Sequence, residues 1–374
     1  MKKLTIIISL ALASVMNAQT LTDFTLINAD TNQPVTGYDP MPEGAVIDYG
    51  ALTTRNLNIR ANTTGVGSVQ FTGVSTSLEN WAPYAAWADD TKGDYYPHVF
   101  DLGVYTLTGT PWTGRNATGA QGTPRTVQFS VINTAARIAI SADGNRHDRD
   151  DICSSAMEVA LLAKNGKQRK LVYFGYNDHH WLSDQAWETD MAASVLETAN
   201  QWGGYDSLVF KDVTANHSAA VTALAYEINQ STATNPLIVL GLGPMQVIGE
   251  AMATSSQSAR PYVTLISHSR WNDIHATQSG ASEGLVGTAY NYSAIGAMGV
   301  KLCQIQNQNT LLKAPYSSFY WLRDSADSKL KWLWQRGRVA GKATFDCSDS
   351  GVVYFVLTGD QAADPAKYQS MLAQ

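Results

Sequence analysis

Four aspartates stand within nine positions of one segment, ADGNRHDRDD: Asp143, Asp148, Asp150 and Asp151. So many carboxylates repel one another unless positive charge is supplied, and Arg146 and Arg149 supply only part of it. A hard cation such as calcium, gripped by several carboxylate oxygens, would supply the rest. The competing reading is a solvated loop in which Asp150 and Asp151 favour the positive N-terminal end of a following helix. The segment is not an EF-hand loop, because the regular oxygen spacing, the central glycine and the terminal glutamate are missing.

Three further segments carry polar groups of the same kind. NDHHW brings Asn177, Asp178, His179, His180 and Trp181; SHSRWNDIH brings His268, Arg270, Trp271, Asn272, Asp273 and His275; DCSDS brings Asp346 and Asp349. Histidine titrates near neutral pH, so His180 can protonate a leaving group, or it and His179 can hold a sugar; a structural role is the alternative for each. Asn177, Trp181, Trp271 and Asn272 suit ring stacking and hydroxyl recognition, with a lid over the core as the alternative for Trp271. There is no P-loop, which argues against nucleotide-hydrolysing chemistry.

The elements around these segments alternate in type. RIAISAD, KLVYFGY, DSLVFKD, PLIVLGL, YVTLISH and KATFD read as strands. Between them, helices are expected over Asp151–Lys164, Asp184–Trp202, Ala215–Asn229 and Met245–Thr254. Such alternation predicts an α/β domain over 135–374, with a mostly parallel sheet and helices on both faces. In that architecture ligands bind beyond the carboxyl ends of the strands, where the four polar segments fall. From 20 to 134 the chain instead reads as short Val-, Ile-, Thr- and Phe-rich runs broken by Gly, Pro, Asn and Asp, the pattern of an all-β sandwich of Ig-like type. Trp81, Tyr84, Trp87, Tyr95, Tyr96 and Trp112 either form a platform for sugar rings there or fill the core and its turns.

The 374 residues suffice for two domains, and 44% hydrophobic with 16% charged residues is a globular composition. A net charge of -6 without a basic patch argues against nucleic acid. Residues 1–18, two lysines followed by a short apolar run with a small-residue end, read as a secretory signal, so a secreted or periplasmic protein free of the membrane after cleavage is expected. Of Cys153, Cys303 and Cys347, the last two are the expected pair if a disulfide forms; three buried thiols are the alternative.

Several of these strings resemble known families. FTLINADTNQPV, NLNIRANTTGVGSVQF, ENWAPYAAWADD and GVYTLTGTPW resemble a β-sandwich module of secreted bacterial polysaccharide-degrading proteins. An aspartate ending a strand, a short Gly-containing loop and then Asp-Asp opening a helix resembles the signature of nucleoside hydrolases. The similarity is greatest to the divergent nucleoside-hydrolase-like branch named cellulose-binding proteins. PLIVLGLGPMQVIGEAM and DCSDSGVVYFVLTGDQAADP resemble later segments of that family. The resemblance implies calcium on Asp143, Asp151 and Asp349, Asp150 touching sugar hydroxyls, and a carboxylate, Asp143 or Asp148, taking the proton of a water. Two departures stand out: Ser141 occupies the place of a further aspartate of true nucleoside hydrolases, and the loop is longer, with Arg146 and His147. The expected function is a secreted, calcium-assisted glycoside hydrolase acting on a glycan. The alternatives are a secreted nucleoside N-ribohydrolase and a non-catalytic carbohydrate-binding protein.

Cleavage of the signal after Ala18 leaves Gln19, or Thr20 after trimming, at the mature N-terminus. Mass spectrometry of the exported protein checks this, and an intact Met1 would refute it.

Overall fold

The apolar runs beyond Asn133 form a six-stranded sheet in which every recorded neighbour is parallel. The computed structural model describes residues 19–90, 92–144, 149–178, 185–269 and 290–374. The expected export signal lies outside them. Among the described residues, no helix is long and apolar enough to cross a membrane. The chain divides into two units: one runs through Ala45 and takes in Thr54–Val99 and Tyr105–Gln128, the other takes in Val46–Thr53, Phe100–Val104 and Phe129–Gln374.

The first unit is β-rich. Strand Thr20–Asn28 pairs antiparallel with Leu57–Thr64, and Ser68–Gly73 pairs antiparallel with Gly103–Trp112. Alternation places Val69 and Phe71 inside and Gln70 outside, as a half-buried strand requires. Of the aromatic residues singled out above, Tyr84 and Tyr95 are buried, and the Tyr84 hydroxyl donates to the Val66 carbonyl at 2.6 Å. Trp87 stacks on His98 with ring centroids 4.3 Å apart. Trp81 and Tyr96 are exposed, but the Arg115 guanidinium lies 3.2 Å over the Trp81 ring and covers one of its faces.

In the second unit the parallel strands, in chain order, are Arg137–Ser141, Leu171–Tyr176, Phe210–Asp212, Leu237–Gly241, Val263–Ser267 and Lys301–Gln304. Their order across the sheet is third, second, first, fourth, fifth, sixth. The first strand is therefore central, and chain direction across the sheet reverses between the first and fourth strands. That reversal opens a crevice at their carboxyl ends. Alternate residues feed two cores: Ile138, Ile140, Ile238 and Leu240 pack with helices α1 (Asp150–Lys164) and α2 (Gln185–Trp202). Ala139, Leu237, Val239 and Leu265 pack with α3 (His217–Asn229) and α4 (Gln246–Thr254). Continuous apolar runs such as LIVLG follow from burial on both faces. Helix α1 is buried along nearly its whole length, from Asp150 to Leu162, so its sequence lacks a polar outer stripe.

Two expectations are corrected. The sixth strand is KLCQ, whereas the Phe345–Asp346 part of KATFD forms a two-residue antiparallel pair with Lys313–Ala314. KLCQ is an edge strand with only Cys303 buried, so its polar residues hide it from a search for apolar runs. The Cys303–Cys347 disulfide is absent: all three cysteines are buried free thiols. Cys347 neighbours Cys153 instead, and burial pushes the Cys303 thiol up to about 12.

At the crevice, Gly243 follows the fourth strand and lies against Asp143, which follows the first. A β-carbon on Gly243 would stand 3.0 Å from the Asp143 backbone nitrogen, Cβ and Cγ. Gly243→Ala should therefore destabilise the protein by about 1–3 kcal/mol, the usual cost of forcing one extra methyl into a packed site. Urea unfolding checks this, and wild-type stability in the variant would refute the contact.

Candidate functional site

Asp143 is placed by backbone bonds from both neighbouring strands. The Ala142 N–H donates to the Gly175 carbonyl at 2.9 Å, and the Leu242 N–H to the Ser141 carbonyl at 3.0 Å. The Asn177 N–H reaches the Asp143 carbonyl and the Asp178 N–H the Ala142 carbonyl, both at 3.1 Å. Gly144 then turns the chain away at φ +94°, where a β-carbon would also meet the Met191 sulfur at 2.6 Å. The Asp143 side chain is fully enclosed, and apart from the neighbouring Asp151 neither carboxylate oxygen meets a hydrogen-bond donor among the described residues. Burial, foremost, and the negative charges of Asp349, Asp150 and Asp178 push its carboxyl well above the ordinary range; Asp151, close enough to share a hydrogen bond, pulls it back in part.

Asp150 and Asp151 open α1, where the helix dipole favours negative charge, and both are buried. Asp150 is not turned to solvent: its Oδ1 accepts from the Lys342 ammonium at 2.6 Å. The same ammonium lies 3.1 Å from Asp346, whose other oxygen accepts from Ser348 at 2.9 Å. Burial opposes the charge on Lys342, but Asp150 and Asp346 outweigh it and hold that amine above its ordinary value. Asp349 precedes the helix Ser350–Thr358, and its Oδ1 lies 2.5 Å from His268 Nε2.

The second strand contributes Asn177 and Asp178. Asn177 takes a left-handed φ of 59°, which asparagine tolerates better than most residues. Its amide nitrogen donates to Asp212 Oδ1 at 3.3 Å and to the Glu188 carbonyl at 3.4 Å, while its side-chain oxygen has no donor among the described residues. Asp178 accepts from the Ser141 hydroxyl at 2.6 Å. Burial raises Asp178 to about 7, against the Ser141 bond and the nearby His217, which lower it, and with Glu250, which raises it.

Thus Asp143, Asp150 and Asp151 of one segment and the distant Asp349 are brought into one carboxylate cluster beside Asn177. Asp148, His179, His180, Trp181, Trp271 and Asn272 lie outside the described residues. Sequence reasoning missed the roles of Ser141, Asp178, His268 and Lys342. Ser141 was legible only as a departure from a family pattern, and Lys342 carries no local signal because its partners lie 192 residues away and four residues away. As for a cation, the enclosed oxygens of Asp143 suit one, with Asp151 and Asp349 near. No three His, Cys, Asp or Glu side chains among the described residues form a ready ligand set. The further oxygens that calcium takes would come from carbonyls, water or residues outside that set.

The Asp178 shift has a sign that can be measured. Its folded value lies above its ordinary 3.8, so the native state holds a proton that the unfolded chain lacks between about 4 and 7. Its contribution to stability is full below that window and is lost as pH rises through about 7. In chelator the melting temperature should fall from pH 5 to pH 8, at roughly 2–4 °C per kcal/mol for a domain of this size. Asp178→Asn should flatten the fall, and an unchanged slope in that variant would refute the assignment.

No protein-family model matches the chain. Over 249 residues it is 30% identical to "Uncharacterized protein P22" of Formosa agariphila, covering 63% of this chain and 88% of that protein. The relative's name states no activity. With that identity over nearly all of the relative, the chain belongs to the same protein family as P22 of Formosa agariphila.

Proposed function

We propose that the protein is secreted and that its α/β unit is a calcium-assisted glycoside hydrolase acting on a polysaccharide or oligosaccharide, with a nucleoside-hydrolase-like fold and an Ig-like sandwich as its accessory module. The observation that carries this reading is the enclosed Asp143 carboxylate, without donors other than Asp151 among the described residues, at the crevice where the parallel sheet changes direction. When bound, calcium supplies charge that neutralises paired carboxylates and polarises a water and vicinal hydroxyls. Asp143, with Asp151 and Asp349 near it, would supply part of its ligands, the rest coming from carbonyls, water or residues outside the described set.

The side chains divide the remaining work. Without added positive charge Asp143 keeps its proton; once ionised it can accept a proton from a water beside it. The negative field of Asp150, Asp178 and Asp349 favours the positive charge that develops on a sugar ring as its glycosidic bond breaks. The side-chain oxygen of Asn177, without a donor among the described residues, can accept from a sugar hydroxyl. Asp150, paired with Lys342, acts through its field rather than as a free base.

Release of reducing sugar from a glycan panel, and of free base from nucleosides, tests this with calcium and with chelator. Asp143→Asn should lower the rate by about 10²–10⁴-fold, the usual loss on removing a positioned base. It should also weaken calcium binding. Asp148→Asn should spare calcium binding, which separates base from bystander. Free base alone would move the substrate class to nucleosides. Ligand binding without any calcium-dependent product would replace the hydrolase reading with a carbohydrate-binding one.

A further inference from the structure

We propose that Ser154, Ser155 and Glu158 form an enclosed water-binding site on the inner face of α1, where ordered water joins the Glu158 carboxyl to the two serine hydroxyls. All three residues are fully buried. Neither serine Oγ nor either Glu158 oxygen meets a hydrogen-bond partner among the described residues. Glu158 stands four positions after Ser154 and three after Ser155, so the three share one face of the helix. Helical side chains lean toward the N-terminus, and the long glutamate arm therefore extends back over the serines. Helical hydroxyls elsewhere in this chain behave differently. Those of Thr198, Thr222 and Ser370 donate to the carbonyl four residues back, at 2.5, 2.8 and 3.0 Å. Neither serine of α1 is recorded with that bond.

Neighbouring hydroxyls are already committed. Helix α1 packs against the helices Ser350–Thr358 and Pro365–Leu372, and Tyr368 of the latter lies within electrostatic reach of Glu158. Ser350 Oγ donates its one proton to the Cys347 carbonyl at 2.5 Å, so the Tyr368 hydroxyl, 2.8 Å away, must donate to Ser350. Both protons are used, and neither hydroxyl can donate to Glu158. One turn beyond Glu158 the same face carries Leu161 and Leu162, both buried, which close that end with apolar surface. Buried polar atoms rarely persist without a partner, and water, a donor and an acceptor at once, fits a carboxyl set over two hydroxyls. Burial, foremost, and the negative charge of Asp349 hold the Glu158 carboxyl well above its ordinary range, which favours a neutral bridging group. The ligand is therefore water rather than an ion, and the site stands apart from the reaction proposed above. Water held there lets α1 keep a polar face inside the core, beneath the turn that carries Asp150 and Asp151.

A crystal structure of the protein, at a resolution that shows ordered water, is the direct test. At least one water within hydrogen-bond distance of both Glu158 and a serine of the pair is expected. A direct serine–glutamate bond, or serines bonded to their own helix carbonyls with no water beside Glu158, would overturn the site. Melting temperatures give a second test, in which the sign decides. Removing a hydroxyl that holds water is destabilising, whereas removing an orphaned buried hydroxyl is stabilising. At least one of Ser154→Ala and Ser155→Ala should therefore melt roughly 2–4 °C lower than wild type, about one hydrogen bond in a domain of this size. No fall in either variant would overturn the proposal. Glu158→Gln keeps a neutral hydrogen-bonding group of similar size and should melt close to wild type. A fall well beyond that of the serine variants would mean that the buried group must be an ionised carboxylate, and would overturn the neutral water site.

Discussion

The rest of the α/β unit is arranged around a carboxylate removed from water. Asp143 is enclosed on every side, and apart from Asp151 its oxygens meet no donor among the described residues. Taking an ionised carboxylate out of water costs many kcal/mol unless a proton or a cation balances it. Such a group persists only where neighbouring backbone holds it in place. Here the first, second and fourth strands do so, with Gly144 and Gly243 removing the side chains that would push them apart.

Around that centre each neighbouring acid has a different compensation. Lys342 bridges Asp150 and Asp346, Ser141 donates to Asp178, and His268 Nε2 lies within hydrogen-bond distance of Asp349. Asp151 has the N-terminal end of α1. The compensations are local and short, so the cluster holds its geometry while keeping a negative field in the crevice. A field of that sign suits a ligand that carries or develops positive charge, whether a cation or a sugar losing its leaving group.

The buried α1 links the two aspects of the structure. Its first turn supplies Asp150 and Asp151 to the crevice, and the residues from Ile152 to Leu162 fill the core against the sheet and α2. Movement of this helix would disturb core packing and the carboxylate cluster together. Ser154, Ser155 and Glu158, buried and without a hydrogen-bond partner among the described residues, continue the polar character inward from Asp151 at helical spacing.

The sequence by itself determined the order of elements and the position of the crevice. Period-two and continuous apolar runs mark strands buried on one or both faces, and acidic and polar residues clustered after those runs because only the strand ends open to a ligand. It therefore placed Asp143, Asp151 and Asp349 at strand or helix ends, while the edge strand KLCQ escaped because one buried residue leaves no pattern. Tertiary structure alone decided which carboxylates have partners. Lys342 reaches Asp150 across 192 positions and His268 reaches Asp349 across 81, and nothing local in either segment encodes the other. Hydrogen bonds act over about 3 Å in space, whatever the separation along the chain, so pairing becomes legible only once folding has brought the strand ends together.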